Sequence, residues 1–130
     1  MQRTNFASGT QWETVVGYSR AVKVGNVIEV SGTVAVDKNG ALIGEGDAYL
    51  QTKFIIQKIE AVLLQAGATL ADVVRTRLFV TDISQWEAIG RAHGEAFAHI
   101  KPCTSMLEVQ RLIQPEYLIE IEVTALLTHS

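Results

Sequence analysis

Two glutamates near the C-terminal end of the sequence have the spacing best suited to acid–base chemistry. Glu120 and Glu122 stand two positions apart in an alternating segment, so in a β-strand both carboxylates would project from one face. Paired carboxylates can divide the roles of acid and base when their surroundings differ. The alternative is a sheet surface on which Arg75 and Arg77 of a neighbouring strand pair with them. The residues alone leave both interpretations open.

The other reactive side chains stand apart from one another in the sequence. His93 falls within the apolar periodicity of a predicted helix, where a histidine is more often packed or hydrogen-bonded than catalytic. His99 comes near the end of that helix, and His129 lies in the C-terminal tail. Cys103, beside Pro102, is either a nucleophile or an ordinary small apolar side chain. No residue spacing is typical of a metal site, and no glycine loop that cradles phosphates is present, so we predict no metal.

Charge and composition exclude several classes of partner. The 130 residues carry 11 Lys and Arg against 14 Asp and Glu, a formal net charge of −3, and no basic cluster. Nucleic acids and anionic membrane surfaces are bound by clustered positive charge, so neither is predicted as a partner. One cysteine cannot form an internal disulfide, and neither a signal peptide nor a membrane-spanning run is visible. We therefore predict a cytoplasmic chain whose residues 1–130 form a single domain.

Alternating and β-branched segments predict the strands of one sheet. Residues 19–32 indicate a hairpin that turns at Gly25 and Asn26, between two runs of strand-forming residues. Further strands are predicted at 73–81, near 104–110 and at 118–127, and the glycine-rich residues 37–46 are typical of a loop.

Two helices are predicted from capping residues and apolar periodicity. The first has Asp47 as its N-cap and ends at Ala66, with Gly67 placed to close it. The second has Ser84 as its N-cap, and Glu87 three residues later would complete a capping box. Each helix carries an apolar face at steps of mostly three or four. The members are Leu50, Phe54, Ile55, Ile59, Val62, Leu63 and Ala66 in the first helix, and Trp86, Ile89, His93, Phe97 and Ile100 in the second.

The two faces of the predicted strands differ in chemistry. The apolar face comprises Ile28, Val30, Leu78, Val80, Leu107, Val109, Ile119, Ile121 and Val123, with Val74 and Thr76 on the same side. The opposite face carries Glu29, Ser31, Arg75, Arg77, Glu108, Gln110, Glu120 and Glu122. Two helices can cover one side of one sheet, which predicts an α+β fold with the apolar face beneath them. Either water or another subunit must cover the mixed polar face.

Several segments together resemble the reactive-intermediate deaminase family, known as Rid or YjgF. They are, in chain order, Gly17-Tyr18, Val30-Ser31-Gly32, Asp37 with Gly40, Gln51-Thr52, Ala66-Gly67, Asp72-Val73-Val74-Arg75, Phe79-Val80-Thr81-Asp82, Pro102, Glu108-Val109 and Ile119-Glu120-Ile121-Glu122. The resemblance implies a chorismate-mutase-like fold, with a mixed sheet, two helices on one face and a homotrimer. It also implies ligand clefts between subunits, where small enamines and imines such as 2-aminoacrylate are hydrolysed to keto acids and ammonia without a cofactor.

The resemblance assigns roles to individual positions. Glu120 matches the glutamate that helps to position the attacking water, and Tyr18, Ser31 and the backbone at Gly32 match the walls of the cleft. Thr104 stands where deaminating members have an arginine that grips the substrate carboxylate. Two further departures from the family pattern are Met106, where many members have cysteine, and Gly90, where deaminating members often have asparagine. The predicted site therefore has Glu120 as the catalytic residue and Tyr18, Ser31, Gly32, Gly90, Cys103, Thr104 and Met106 as ligand-binding residues.

The departure at Thr104 leaves alternatives for the function. A hydroxyl cannot replace a charged fork, so the chain resembles the branches that lack the arginine. It would then hydrolyse an imine without that carboxylate, or one gripped by Arg20, Arg91 or Arg77. Alternatively, it is a ligand-binding or regulatory trimer without turnover. Activity of the endoribonuclease or translation-inhibitor type, with which some relatives are labelled, is disfavoured by the acidic charge.

Overall fold

A computed structural model describes residues 1–128, and the predicted tail position of His129 lies outside the described residues. Six strands and three α-helices follow one another in the order β1 Arg3–Phe6, α1 Gln11–Val16, β2 Ala21–Val24, β3 Val27–Thr33, α2 Ala48–Gln65, β4 Val73–Val80, α3 Trp86–Phe97, β5 Cys103–Glu108 and β6 Ile119–Leu126. Short 3-10 turns precede β4 and α3, at Leu70–Asp72 and Ile83–Gln85. The sequence patterns did not predict β1 and α1. In the described range, no helix is long and apolar enough to cross a membrane.

The strands form one mixed sheet in the order β1-β2-β3-β6-β4-β5. Every neighbouring pair is antiparallel except β4 and β5, which run parallel. Parallel neighbours require a crossover connection, and α3 lies in the segment that supplies it. The strand β5 is therefore an edge of the sheet, while β6 lies in its interior.

The hydrophobic core lies between one face of the sheet and the pair α2 and α3. Its buried members come from both layers and include Ile55, Ile59, Leu63, Ile89 and Phe97 of the helices and Ile28, Leu78, Val80, Ile119 and Ile121 of the strands. Full burial of such a side chain stabilises the folded state by about 1.5–3 kcal/mol. The predicted α+β fold, with two helices on one face of a mixed sheet, is confirmed.

The first predicted helix is confirmed and the start of the second was wrong. Asp47 caps α2, since its carboxylate accepts from Leu50 N at 3.0 Å, and Gly67 follows with a φ of 86°. The cap before α3 is Asp82, whose carboxylate accepts from the backbone N and the hydroxyl of Ser84. A 3-10 turn thus separates this cap from the helix. Ser84, which was predicted as the N-cap, instead donates its hydrogen bonds to Asp82. Leu50 is 48% exposed and is not part of the buried face of α2.

The predicted alternation in β4 was wrong at its start. Val73 is buried, whereas Val74 is 43% exposed, although the period of two had placed Val74 on the apolar face. The pairing with β6 shifts between Val73 and Arg75, which is a β-bulge. One extra residue in a bulge reverses the side to which the preceding side chains project. From Thr76 onward the predicted faces are correct.

The two faces of β5 were assigned the wrong way round. Thr104, Met106 and Glu108 pair with the buried residues of β4, so they project toward the helices. Leu107 is 46% exposed on the other side, and Val109 follows the end of the strand. Glu108 accepts from Ile83 N at 2.9 Å and so holds the turn before α3. An edge strand is only partly covered, so hydrophobic alternation does not specify its register strongly.

Candidate functional site

Glu120 projects from the face of the sheet that the helices leave uncovered. Its neighbours Ile119 and Ile121 are buried on the helix side, and alternation places Glu120 on the opposite side. Its carboxyl group lies against Gly32 of β3. A Cβ atom at Gly32 would collide with Glu120 Oε2, so only a glycine leaves room for this carboxyl group.

Arg20 lies close enough to this carboxyl group to act on it electrostatically. Its Nη2 donates to Gly32 O at 2.6 Å. Its Nε is buried without a hydrogen-bond partner within residues 1–128. Burial lowers the pKa of the Arg20 guanidinium, while Tyr18, Glu13 and Glu120 oppose that effect electrostatically. A buried N–H without an acceptor lowers the stability of a folded protein, and an anion bound to the guanidinium would offset that loss.

The environment of Glu120 favours its protonated form more than water does. Burial raises the pKa of the Glu120 carboxyl, Arg20 acts in the opposite direction, and Glu122 adds to the rise. Glu122 itself is paired with Arg77 across the strands at 3.1 Å. The two glutamates therefore differ in their surroundings: Glu122 belongs to a surface ion pair and Glu120 lies in a half-buried site. The ion-paired sheet surface therefore describes Glu122, whereas an acid–base role for Glu120 stays a prediction.

Tyr18 and Ser31 lie near the same end of the sheet. Tyr18 follows α1, which ends at Gly17 with a φ of 90°, and its backbone N donates to Glu13 O. Its ring is partly exposed. Ser31 Oγ donates to Ser19 O at 2.7 Å, so this hydroxyl ties β3 to the start of β2. Ser31 also borders a groove of about 320 Å³ on the open face, between β2, β3, β6 and β4.

A second group of polar side chains lies on the helix side of the sheet. Thr104 Oγ1 of β5 is 2.8 Å from Thr76 Oγ1 of β4, and Thr76 Oγ1 is 2.9 Å from His93 Nε2 of α3. Thr104 is also 3.2 Å from Pro102 O. Burial lowers the pKa of His93. The family resemblance predicted Thr104 as a ligand-binding residue, but nothing in the sequence connected it to His93.

The remaining predicted ligand residues are Gly90 on α3 and Cys103 and Met106 on β5. Gly90 lies on α3, where an added Cβ would meet no atom of residues 1–128 within 4 Å apart from the adjoining residues and backbone of its own helix. Met106 is half-buried and packs against the core. Cys103 is an exposed free cysteine. Its backbone lies in register with Arg75 of β4, so its side chain projects to the face of β5 opposite to Thr104. Gly90 therefore borders open space on the helix, whereas Met106 mainly packs against the core of its own chain.

The structure therefore divides the predicted site residues other than Cys103 into two groups. The open-face group is Tyr18, Ser31, Gly32 and Glu120, together with Arg20. The edge group is Gly90, Thr104 and Met106, together with Thr76 and His93. Glu120 pairs with Phe79 of β4 on the open face, whereas Thr104 pairs with Thr76 on the helix face. Because a sheet separates the two groups, a single chain does not bring them into one pocket.

Comparisons with known proteins identify the family. The model of the family described as Endoribonuclease L-PSP matches residues 9–127. A RutC family protein of Pyrococcus abyssi is 39% identical over 108 residues, which cover 83% of this chain and 84% of the relative. The chain belongs to the Rid/YjgF family. A crystal structure of a family member from Mycobacterium tuberculosis, Rv2704, matches this Rid/YjgF chain with a TM-score of 0.88 and 48% identity, covering 97% of this chain and 100% of that one.

One relative of this Rid/YjgF chain carries the name of an activity. The 3-aminoacrylate deaminase RutC of Acinetobacter baylyi is 34% identical over 104 residues, covering 80% of this chain and 82% of the relative. Its substrate, as named, is an enamine that bears a carboxylate. Within the part of the chain that the structure describes, no three His, Cys, Asp or Glu side chains lie close enough together to hold a metal ion.

Sequence reasoning missed two charged residues that support the open-face group. Glu13 is buried, accepts from Ser8 N at 3.1 Å and lies close enough to Arg20 to affect its pKa. Lys58 of α2 donates to Val34 O and Val36 O at 2.8 and 2.7 Å, just after Gly32. Burial lowers the pKa of Lys58 to about 8. Neither role leaves a pattern in the sequence, because both depend on contacts with distant backbone groups.

Proposed function

We propose that this Rid/YjgF chain hydrolyses small imines or enamines that bear a carboxylate, without a cofactor, in clefts between the subunits of a homotrimer. The observation that carries the proposal is the open-face group, where the half-buried Glu120 carboxyl lies beside the incompletely paired Arg20. The chain would belong to the branch of the family that lacks an arginine at position 104. In it, Arg20 would grip the carboxylate.

Arg20 is favoured over the two other arginines that could take this role. Arg77 is exposed and already paired with Glu122 at 3.1 Å. Arg91 lies 4.4 Å from the ring centroid of Tyr49, on the helix side of the molecule. Of the three arginines, Arg20 is the one that combines an unpaired Nε within residues 1–128 with an electrostatic effect on Glu120. The name of the relative from Acinetobacter baylyi supports a carboxylate-bearing enamine as the substrate class.

The chemistry follows from these two side chains. An imine carbon is electrophilic, so a water held by the ionised Glu120 can attack it while the carboxylate removes a proton from the water. Starting from the protonated imine, attack gives a carbinolamine, whose nitrogen takes that proton from Glu120. As ammonia leaves, the carbinolamine hydroxyl passes its proton to the Glu120 carboxylate and the carbonyl forms. A raised pKa makes Glu120 a better base than an ordinary carboxylate, and it lets the carboxyl hold the accepted proton until the more basic carbinolamine nitrogen takes it. Arg20 holds the substrate in place through these steps.

The separation of the two residue groups supports a cleft between chains. A pocket that contains both Glu120 and Thr104 requires the open face of one chain to meet the β5 edge of another. That edge presents Leu107, which is exposed in the single chain, and unpaired strand atoms. Exposed apolar residues at a sheet edge are typical of surfaces that another chain covers.

The proposal is tested by ammonia release from imino acids generated in the assay. We expect Glu120→Gln to reduce kcat by about 10²-fold or more, since it removes the group that moves the proton. Glu122→Gln on the same strand is the matched control and should retain activity, because Glu122 is engaged by Arg77. In the same assay, Arg20→Gln should raise KM by about 30-fold or more, and Arg91→Gln should not.

The possible outcomes separate the competing interpretations. Equal rates for wild type and Glu120→Gln would contradict the hydrolase. Absence of ammonia release, together with a Tm increase caused by a 2-oxo acid, would establish the ligand-binding interpretation. Ribonuclease activity is disfavoured because the chain carries a net charge of −3, and the arginines of the open face neighbour Glu29 and Glu122.

A further inference from the structure

Three hydrogen-bonded side chains connect the surface at β5 with the space between β4 and α3. The hydroxyl of Thr104 is at the exposed end, Thr76 is in the middle, and the imidazole of His93 is at the inner end. Thr76 is fully buried, at 0% exposure, and both of its contacts have ordinary hydrogen-bond lengths of 2.8 and 2.9 Å. The ring of His93 also lies 4.7 Å from that of Phe97. This series of bonds is called the Thr104–His93 relay.

The relay can point in two directions, because each hydroxyl carries a single hydrogen. When His93 Nε2 accepts, Thr76 donates to it and Thr104 donates to Thr76, so Thr104 offers only lone pairs to the outside. When Nε2 carries hydrogen, the imidazole donates to Thr76 and Thr76 donates to Thr104. The hydrogen of Thr104 can then point outward, or toward Pro102 O at 3.2 Å. The state of a half-buried imidazole thus decides whether Thr104 is a donor or an acceptor.

The surroundings of the relay carry little charge. Phe97 is apolar, and β4 and β5 face the imidazole with the two neutral hydroxyls. The charged groups at the contact of α3 with α2 interact with each other: Arg91 lies over the ring of Tyr49, and Lys53 pairs with Glu95 at 3.1 Å. Since burial lowers the pKa of His93, the imidazole is neutral near pH 7 and can adopt either tautomer. A protonated imidazole, by contrast, always carries hydrogen on Nε2, so it donates to Thr76 and Thr76 donates to Thr104.

We infer that His93 is a positioning residue that acts through Thr76 to set the hydrogen-bonding role of Thr104 toward a bound ligand. A ligand that presents an oxygen acceptor, such as the carboxylate or carbonyl of a 2-oxo acid, selects the form with hydrogen on Nε2. Binding of such a ligand is therefore coupled to the protonation of His93. The inference rests on the proposed function in placing Thr104 at the ligand cleft.

The test is ¹⁵N NMR of the imidazole groups, with pyruvate as the probe because it belongs to the 2-oxo acids that the proposed hydrolysis produces. In the wild-type protein, pyruvate should move the His93 Nε2 resonance toward the N–H position and raise the pH midpoint of its titration. Pyruvate affinity should accordingly increase as the pH falls through that midpoint. The resonances of His99, measured in the same spectra, serve as the internal control and should not change.

Variants test whether the hydrogen bonds of the relay transmit the effect of pyruvate to His93 or serve only to stabilise the fold. Thr76→Val keeps the shape of the buried side chain but breaks the relay, so the response of His93 to pyruvate should vanish, whereas Thr76→Ser should retain it. If Thr76→Val does not fold, Thr104→Val at the exposed end removes the same connection. A wild-type-like His93 response in a folded Thr76→Val or Thr104→Val protein would overturn the inference.

The outcomes also distinguish this inference from the proposed hydrolysis. Pyruvate-induced changes at Tyr18 and Gly32 without a change at His93 would overturn the inference and leave the proposed function standing. A His93 response in a protein that releases no ammonia would support the inference and contradict the hydrolase. A protein in which pyruvate shifts no resonance would contradict both.

Discussion

At the scale of single residues, Gly32 and Glu120 depend on each other. The carboxyl group of Glu120 occupies the space in which a side chain at Gly32 would lie. Arg20 is connected to the same place, because its Nη2 donates to Gly32 O. Position 32 therefore contacts both proposed functional groups: its lack of a side chain makes room for Glu120, and its carbonyl binds Arg20.

We predict that Gly32→Ala displaces the Glu120 side chain and abolishes most of the activity. The collision is with a side-chain carboxyl group that can move, so the cost in stability should be about 1–3 kcal/mol. Gly94→Ala on α3 is the control: its Cβ meets no atom of residues 1–128 within 4 Å, and alanine should stabilise the helix by about 0.5–1 kcal/mol. Denaturant unfolding and the ammonia assay measure both effects. An active Gly32→Ala protein would show that the position of Glu120 is not critical.

At the scale of elements, sequence patterns predicted some helix caps and strand faces correctly and others wrongly. The cap of α2 depends on residues three positions apart, so Asp47 was identified correctly. The cap before α3 was misplaced by two residues because Asp82 and Ser84 are both good capping residues, and an intervening 3-10 turn decides between them. The faces of β5 depend on its position at the sheet edge, which no local pattern contains.

We predict that Asp47→Ala lowers the stability of the protein by about 1 kcal/mol, because Leu50 N loses its acceptor at the first turn of α2. Asp47→Asn should retain most of the stability, since asparagine caps helices about as well as aspartate. Urea unfolding of the three proteins provides the measurement. An equal loss in both variants would indicate that the charge of Asp47, rather than its hydrogen bond, stabilises the helix.

At the scale of the whole molecule, the proposed assembly explains why the site residues occur in two groups. The open-face group and the edge group lie on opposite sides of the sheet within one chain. In a ring of identical chains, each open face can meet the edge of its neighbour, which forms equivalent clefts at every interface. Activity and assembly should then be lost together.

We predict that light scattering gives a mass three times that of one chain, and that Leu107→Glu lowers this mass and reduces activity. Burying a new charge at an interface costs several kcal/mol. Leu50→Glu is a matched control, because Leu50 is 48% exposed and Leu107 46%, but Leu50 lies on α2 and away from the β5 edge. A monomeric wild-type protein with full activity would contradict the proposed cleft.

Local patterns along the chain were enough to predict the class of fold, the two main helices and most of the strands. These features depend on local periodicity and on capping residues close in the chain, so hydrophobic burial imposes them wherever the pattern occurs. The tertiary structure decided the bulge before Thr76, the orientation of β5 and the neighbours of Arg20 and His93. Those features arise where strands distant in sequence pair at the edge or interior of the sheet, and the energies that select among them belong to contacts between segments.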